Sequence, residues 1–209
     1  MKANHKIAMA ALAGITLGAL TMIVSGAAAL AQDTVRVRGA IESIDASTYV
    51  IKARDGAELK VALADKAQIA TVVKASLADV KQGLFVGVTA MPQADGRLSA
   101  LEVHIFPDAM RGTGEGHYSW DLQPKSTMTN ANIDQVVTAV DGQTLTLKYK
   151  DGEKKIFVPA DTPIVAYMRG DDTDLKPGAK VFIAAVKQPD GTLQGRAWRV
   201  GRDGLTPPM

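Results

Sequence analysis

The sequence predicts a mainly β protein: two tandem small β-barrels of five to six strands each, behind an N-terminal signal helix. Three observations predict it. Short runs of alternating apolar and polar residues recur along the chain, punctuated by Asp-Gly pairs. The pattern of those runs is written twice, at an offset of about 95 residues. The apolar stretch at the start has the layout of an export leader.

The leader comes first along the chain. Residues 1–6 carry Lys2 and Lys6, and residues 7–24 are apolar and uncharged. Ala29-Leu30-Ala31 then offers small residues at both ends of a triplet, so cleavage is expected after Ala31 and residues 1–31 form a signal peptide. The stretch is long enough to span a bilayer, which takes about 20 apolar residues. Its end, however, is rich in small residues and no basic stop-transfer cluster follows. No later stretch is apolar over about 18 residues, so no membrane segment is expected after cleavage. The expected location is periplasmic or secreted.

Composition narrows the function classes. The chain has 209 residues, 46% of them hydrophobic, enough for one or two globular cores. It has no Cys, which excludes a disulfide framework and thiolate metal sites. All 22 acidic residues follow Gln32, and losing Lys2 and Lys6 with the leader leaves a mature chain with balanced charge. Phosphate neutralisation needs clustered Lys and Arg, so nucleic acid is not an expected partner.

The repeat sets the domain plan. Asp55-Gly56 matches Asp151-Gly152, and Ala64-Asp65 matches Ala160-Asp161. Asp79-Val80-Lys81-Gln82-Gly83 matches Asp174-Leu175-Lys176-Pro177-Gly178, and Asp95-Gly96-Arg97-Leu98 matches Asp190-Gly191-Thr192-Leu193. These order the mature chain as a first barrel repeat (33–106), a glycine-containing ordered linker (107–131), a second barrel repeat (132–203) and a short tail (204–209). In the first copy, Val35, Val37, Gly39 and Ile41 alternate with Arg36, Arg38 and Ala40. Residues 49–54 and 58–63 flank Asp55-Gly56 as a hairpin, and residues 69–74 are a further β-branched run. Ser76 to Asp79 reads as a capped helical start, and residues 84–91 and 97–106 close the copy as a second hairpin. The second copy repeats the plan over 136–140, 144–149, 154–158, 164–168, 180–186 and 192–200, with Pro177 expected to replace the helical start by a turn. A small closed sheet removes the exposed edges such short strands would leave, and the nearest common architecture is the oligonucleotide/oligosaccharide-binding-like (OB-like) barrel.

Four stretches together resemble the bacterial exported domain-of-unknown-function family 5666. They are Gly39-Ala40-Ile41-Glu42-Ser43-Ile44-Asp45, the Asp55-Gly56 hairpin, the Asp79 to Gly83 connector and the closing strand from Asp95 to Ile105. The first copy carries the resemblance well and the second more loosely. It implies an extracytoplasmic β-barrel module with no established activity. Relatives of the two-copy chain carry a metal-transport label, which a soluble accessory protein would satisfy and a permease would not.

The linker holds the unusual chemistry. Gly112, Gly114 and Gly116 alternate with Thr113 and Glu115, followed by His117, Tyr118 and Trp120. A divalent-metal site would use His104, Glu115 and His117, with Asp108 or Asp121 in support, because imidazole and carboxylate suit Zn and other transition ions. Against it stands an ordered loop that ties the barrels together with His117 solvated or hydrogen-bonded. The candidate ligand-binding residues are Arg111, Tyr118, Trp120, Trp198 and Arg199, since aromatic and Arg groups together can stack a base or a sugar. Arg196, Trp198 and Val200 share one strand face and Ala197 and Arg199 the other, and the competing reading puts Trp198 in a core. Asp171-Asp172-Thr173-Asp174 lacks the final Glu of a calcium loop and reads as a turn. The glycines of the linker lack the Gly-Lys-Ser/Thr ending of a phosphate loop, and no nucleophile elbow or zinc-protease motif is present. The chain is therefore expected to be a non-enzymatic envelope binding or adaptor protein without a cofactor. Its expected partner is an envelope protein or an oligosaccharide. The alternative is a periplasmic metal-binding accessory linked to metal transport.

Overall fold

The computed structural model describes residues 34–209, so the expected signal helix lies outside the described residues. The described residues form strands β1 (Thr34–Asp45), β2 (Thr48–Ala53), β3 (Glu58–Lys74), β4 (Phe85–Pro92), β5 (Leu98–Ile105), β6 (Gly116–Ser119), β7 (Thr127–Ala139), β8 (Gly142–Tyr149), β9 (Gly152–Pro159), β10 (Ile164–Arg169), β11 (Lys180–Lys187) and β12 (Leu193–Gly201). Among them no helix is long and apolar enough to cross a membrane. Asp-Gly turns fall where expected: Gly56, Gly96 and Gly191 adopt φ near +88°, +81° and +86° at the hairpin tips, a region open to glycine at little cost.

Two five-stranded barrels close. In the first, β1 pairs β2 and β11, β2 pairs β3, and β12 joins β11 to β3, the last contact being parallel. In the second, β7 pairs β8 and β4, β8 pairs β9, and β5 joins β4 to β9, again in parallel. Each ring has the Greek-key order of a small OB-like barrel. Each has its own core. Trp198 sits fully buried in the first, 4.9 Å from the ring of Tyr49, among Val37, Ile51 and Ile183. Val88, Val103, Leu145 and Ile156 fill the second.

The rings do not follow the sequence copies, and this corrects the expectation that 33–106 and 132–203 each close a barrel. Every ring takes three strands from one copy and the final hairpin from the other. The reason lies in β3. It continues past its barrel partners, and Ala70 to Lys74 pair antiparallel with Arg169 to Val165 of β10. Val72 faces Tyr167, its own equivalent in the second copy, so the repeats meet about a local two-fold axis. This extension points the chain away from the first barrel, and the hairpin β4–β5 is delivered to the second. Val80 in one connector and Leu175 in the other then plug the barrels that their hairpins complete. Both connectors open on a capped 3-10 turn. Asp79 Oδ2 accepts from Ser76 N at 2.9 Å, and Asp171 Oδ1 accepts from Thr173 N at 2.9 Å. A helical start thus precedes Pro177 as well, where a plain turn was expected.

The exchanged pairing is open to a direct test in a chain without cysteine. Ala40 and Lys180 face each other across β1 and β11, whereas separate closure would put Phe85 opposite Ala40. Opposed residues bring their Cβ atoms to about 5 Å, within reach of a disulfide after small adjustment. The double variant Ala40→Cys, Lys180→Cys is expected to oxidise to an intramolecular bridge in the monomer, read by peptide mapping. A monomer that stays unbridged under oxidising conditions would overturn the exchange.

Candidate functional site

The outer faces of the two barrels meet, and the meeting surface is not wholly apolar. Phe85, Phe106, Tyr167, Phe182 and Met209 pack there, with Trp120 and Leu205 against them. Among them lies a polar layer. Glu102, Thr89 and His104 are buried, and so are Asn130 and Arg199.

Strand register explains how the layer assembles. His104 on β5 faces Gly87 on β4, Gly87 faces Asn130 on β7, and Asn130 faces Gly116 on β6. These four positions share one row and one face of the sheet. Gly87 supplies the space: a Cβ there would collide with His104 Nε2 and lie 2.5 Å from Asn130 Oδ1. The two side chains therefore lean over the same backbone atom. From above, Gly114 at φ +58° lies against Asn130 Nδ2 and Tyr118 Oη, so close that a Cβ would sit 3.0 Å and 3.3 Å away. The glycines of the linker serve close approach and positive φ.

Glu102 is fully buried but well partnered. Thr89 Oγ1 donates to Oε1 at 2.6 Å, and His104 Nδ1 lies 3.2 Å and 3.1 Å from the two carboxylate oxygens. Nδ1 is thus the ring nitrogen turned to the carboxylate, and Nε2 faces the Gly87 gap. The imidazole stacks on Tyr167 at 5.0 Å and 20° and meets Phe106 edge-on. The guanidinium of Arg199 also lies 5.0 Å from the Tyr167 ring centre and donates to Trp198 O at 3.1 Å. Burial pushes the Tyr167 phenol well above its ordinary range, more than Arg199 opposes. Among the described residues no carboxylate comes within 4.0 Å of Arg199.

A cavity of about 200 Å³ opens onto this layer. His104, Asn130, Arg199 and Tyr118 line it between the rings of Phe106, Trp120, Tyr167 and Phe182. Asn130 Nδ2 donates to Thr113 O at 3.1 Å and to Tyr118 Oη at 3.2 Å. Thr113 O can only accept, which fixes the amide orientation. Asn130 Oδ1 is then buried without a partner, and so is Trp120 Nε1. Native proteins leave few such atoms.

The linker is held over the cavity by ion pairs. Arg38 grips Asp121 through two hydrogen bonds of 3.2 Å and 2.7 Å, Arg36 lies 3.7 Å from the same carboxylate, and Arg36 also covers the Trp120 ring at 4.2 Å. Desolvation pushes Asp121 up, but the hydrogen bond and charge of Arg38, with Arg36, more than offset it and hold the carboxyl below its ordinary value.

The expected site residues divide. Arg199, Tyr118, Trp120 and His104 gather at the cavity. Trp198 does not: it is a core residue whose Nε1–H is satisfied by Gly195 O at 3.0 Å. Arg111 is a structural brace, donating to Asn132 Oδ1, to Gly83 O at 3.2 Å and to Asp108 at 2.9 Å. The set His104, Glu115 and His117 does not converge. His117 adjoins Gly116 and so points from the opposite sheet face to His104. It bonds Thr129 Oγ1 at 2.8 Å, while burial, with the charge of Lys154, pulls its imidazole below the ordinary value. Glu115 instead accepts from Lys150 N at 3.1 Å. Among the described residues no group of three His, Cys, Asp or Glu side chains is placed to hold a metal ion. Glu102, Thr89, Asn130 and Tyr167 escaped sequence reasoning. The one available signal was a carboxylate inside the mostly apolar closing strand.

The model of the family described as Domain of unknown function (DUF5666) matches residues 28–104 and 136–196. The chain belongs to this family. No curated protein and no solved structure matches it. The two DUF5666 segments cover most strands of both barrels, although most of β7 lies between them and β12 runs past the second, and the first also holds Gly87, Glu102 and His104. Thr113, Tyr118, Trp120 and Asn130 lie between the segments, and Arg199 and Met209 follow the second. Much of the cavity's lining is thus added to the DUF5666 framework by segments that link and extend it.

Two outcomes are expected. Removing one side of a buried hydrogen-bonded group strands its partners at about 1–3 kcal/mol, so Glu102→Ala, which leaves Thr89 Oγ1 and His104 Nδ1 unpaired, should lose at least that in urea unfolding. A loss under about 1 kcal/mol would show the layer to be solvated. Asp121 contributes stability above its unfolded pKa of about 3.9, and that contribution is lost as pH falls through the lower folded value. Parent and Asp121→Asn should therefore differ in Tm at pH 6 and converge in acid; an undiminished gap near pH 2.5 would contradict the clamp.

Proposed function

We propose that the chain is an exported, non-enzymatic binding protein of the cell envelope whose ligand enters the cavity between the exchanged barrels. One observation carries the reading: the cavity lies between aromatic rings and is lined by Arg199, a buried guanidinium with no carboxylate within 4.0 Å among the described residues. Burying a cation without a counter-charge is costly, a cost that an anionic or acceptor group of a ligand would offset. Asn130 and Trp120, each with a buried polar atom that has no partner, line the same cavity and reinforce the reading. The leader supports export, and the aromatic walls support a small ligand with an apolar body.

The test uses mature protein recovered from an envelope extract, whose N-terminus is expected at Gln32. A thermal-shift panel of amino acids, organic acids, sugars and amides is screened against the parent and against Ala197→Leu, which fills the cavity. A compound that binds only the folded state at about 100 times its Kd stabilises by about 2.7 kcal/mol, or roughly 5–10 °C in Tm. At least one compound should stabilise the parent and not the filled variant. Equal shifts in both proteins, or none in the whole panel, would sink the proposal, as would an N-terminus at Met1 in cell-envelope material.

A further inference from the structure

The walls of the cavity are not equally fixed. Most stand on strands, as His104, Asn130, Tyr167, Phe182 and Arg199 do. Met209 does not, although it is buried to 1% exposure and belongs to the same aromatic cluster. It arrives from residues 205–209, which have no regular structure. Asp203 and Gly204 turn the chain toward them at φ +51° and +78°, both in the left-handed region. Just before, Gly201 passes so close to Leu205 O that any Cβ would overlap it. Aspartate and glycine tolerate that region better than most residues, so the reversal is written into the sequence.

Little main-chain bonding holds this stretch. Among the described residues no backbone–backbone hydrogen bond involves residues 206–209, and Pro207 and Pro208 have no N–H to donate. Apolar contacts of Leu205, Pro207 and Met209 hold it from below. From the side, two arginines of the first barrel hold it: Arg54 donates to Pro207 O at 3.0 Å, and Arg38 Nε donates to Met209 O at 2.9 Å. The terminal nitrogens of the same Arg38 grip Asp121 of the linker. One guanidinium therefore joins the two covers of the cavity that belong to neither ring. Segments with few backbone hydrogen bonds open locally at low cost, and lids are drawn from them.

We propose that residues 205–209 are a strap that gates the cavity, and that Arg38 is its latch, fastening strap and linker with one side chain. When the strap lifts, Met209 leaves the wall that also holds Arg199, and the cavity opens on that side. The gate serves the ligand site proposed above and rests on that reading for its purpose. Its opening, however, is a property of the free protein and is measured without a ligand. Failure of the strap leaves the cavity's role to the thermal-shift panel, and a panel without a hit leaves the strap to the measurement below.

The experiment follows methionine oxidation in the mature protein under dilute hydrogen peroxide, residue by residue, by mass spectrometry. Sulfoxide formation requires peroxide to reach the thioether. Met168, 46% exposed, is the fast reference, and Met128, 2% exposed on β7 and lining the same cavity, is the slow one. In the parent, Met209 is expected to oxidise about tenfold or more slowly than Met168. Arg38→Gln should speed Met209 about tenfold, the factor that loss of one hydrogen bond from a charged group supplies. It should also make Trp120 easier to quench with acrylamide, while Trp198, sealed in the first core, contributes nothing. Arg54→Gln should speed Met209 and leave Trp120 unchanged, because its hydrogen bond reaches the strap and not the linker. Circular dichroism checks that each variant folds, and Arg54→Gln carries the strap test if Arg38→Gln does not fold. Met209 oxidising as fast as Met168 in the parent, or at an unchanged rate in the variants, overturns the strap. Unchanged Trp120 quenching in folded Arg38→Gln overturns the latch. Met128 speeding up in step with Met209 marks a general loosening of the fold and overturns both.

Discussion

The antiparallel pairing of β3 with β10 is the constraint on which the other features depend. It brings equivalent residues of the two copies, Val72 and Tyr167, face to face, as an isologous interface between two subunits would. Once that pairing forms, each copy has spent its third strand on an extension that leaves its own barrel. Hairpin β4–β5 and hairpin β11–β12 are carried across by connectors anchored at Val80 and Leu175, and no hairpin remains to close a barrel within its own copy. The result is a hairpin-exchanged dimer written in one chain, with the linker fixing the pairing that two separate chains would have to find by encounter.

The exchange also explains which features the sequence made legible. Strands, Asp-Gly turns and the twofold repeat were readable because they depend on local periodicity and on φ values that glycine tolerates. Ring closure was not, because β4 completes one barrel as well as the other on pattern alone. Its inward residues Val86, Val88 and Ala90 fit either core, and only the length of β3 hints that the chain moves on. The site divides the same way. Tyr118, Trp120 and Arg199 stood out by residue type, whereas Asn130 and Tyr167 carry no sequence mark at all. Their roles come from register, one opposite Gly87 and the other opposite Val72. Trp198 misled in the opposite direction, since an aromatic flanked by arginines describes a core strand edge as well as a binding face.

A buried Glu102–His104 pair is poor evidence of stabilisation, because desolvating the two groups removes much of what their attraction returns. Its effect here is orientation. The carboxylate holds Nδ1, so the free imidazole nitrogen faces the gap over Gly87, and Tyr167 and Phe106 keep the ring in that plane. Thr89 takes up a carboxylate oxygen that would otherwise seek water. The layer is thus satisfied on its inner side, while Asn130 Oδ1 is left unpartnered beside the cavity.

Divergence between the copies converts a symmetric framework into one site. His104 and Arg199 occupy corresponding positions on β5 and β12, opposite Gly87 on β4 and Phe182 on β11 respectively. On one hairpin the small residue leaves room for His104 and Asn130 to meet; on the other Phe182 fills that room and becomes a wall. Ala197 stands where the first copy has Glu102, so Arg199 lacks the acidic neighbour that its counterpart possesses. Two identical copies would put the same group on both sides of the local axis and could not set His104 and Asn130 against a guanidinium. The linker then completes the asymmetry, since Tyr118 and Trp120 exist once and cover one end of the axis only. A single polar cavity in a two-fold framework therefore requires both the exchange that brings the two hairpins together and the unequal residues they carry.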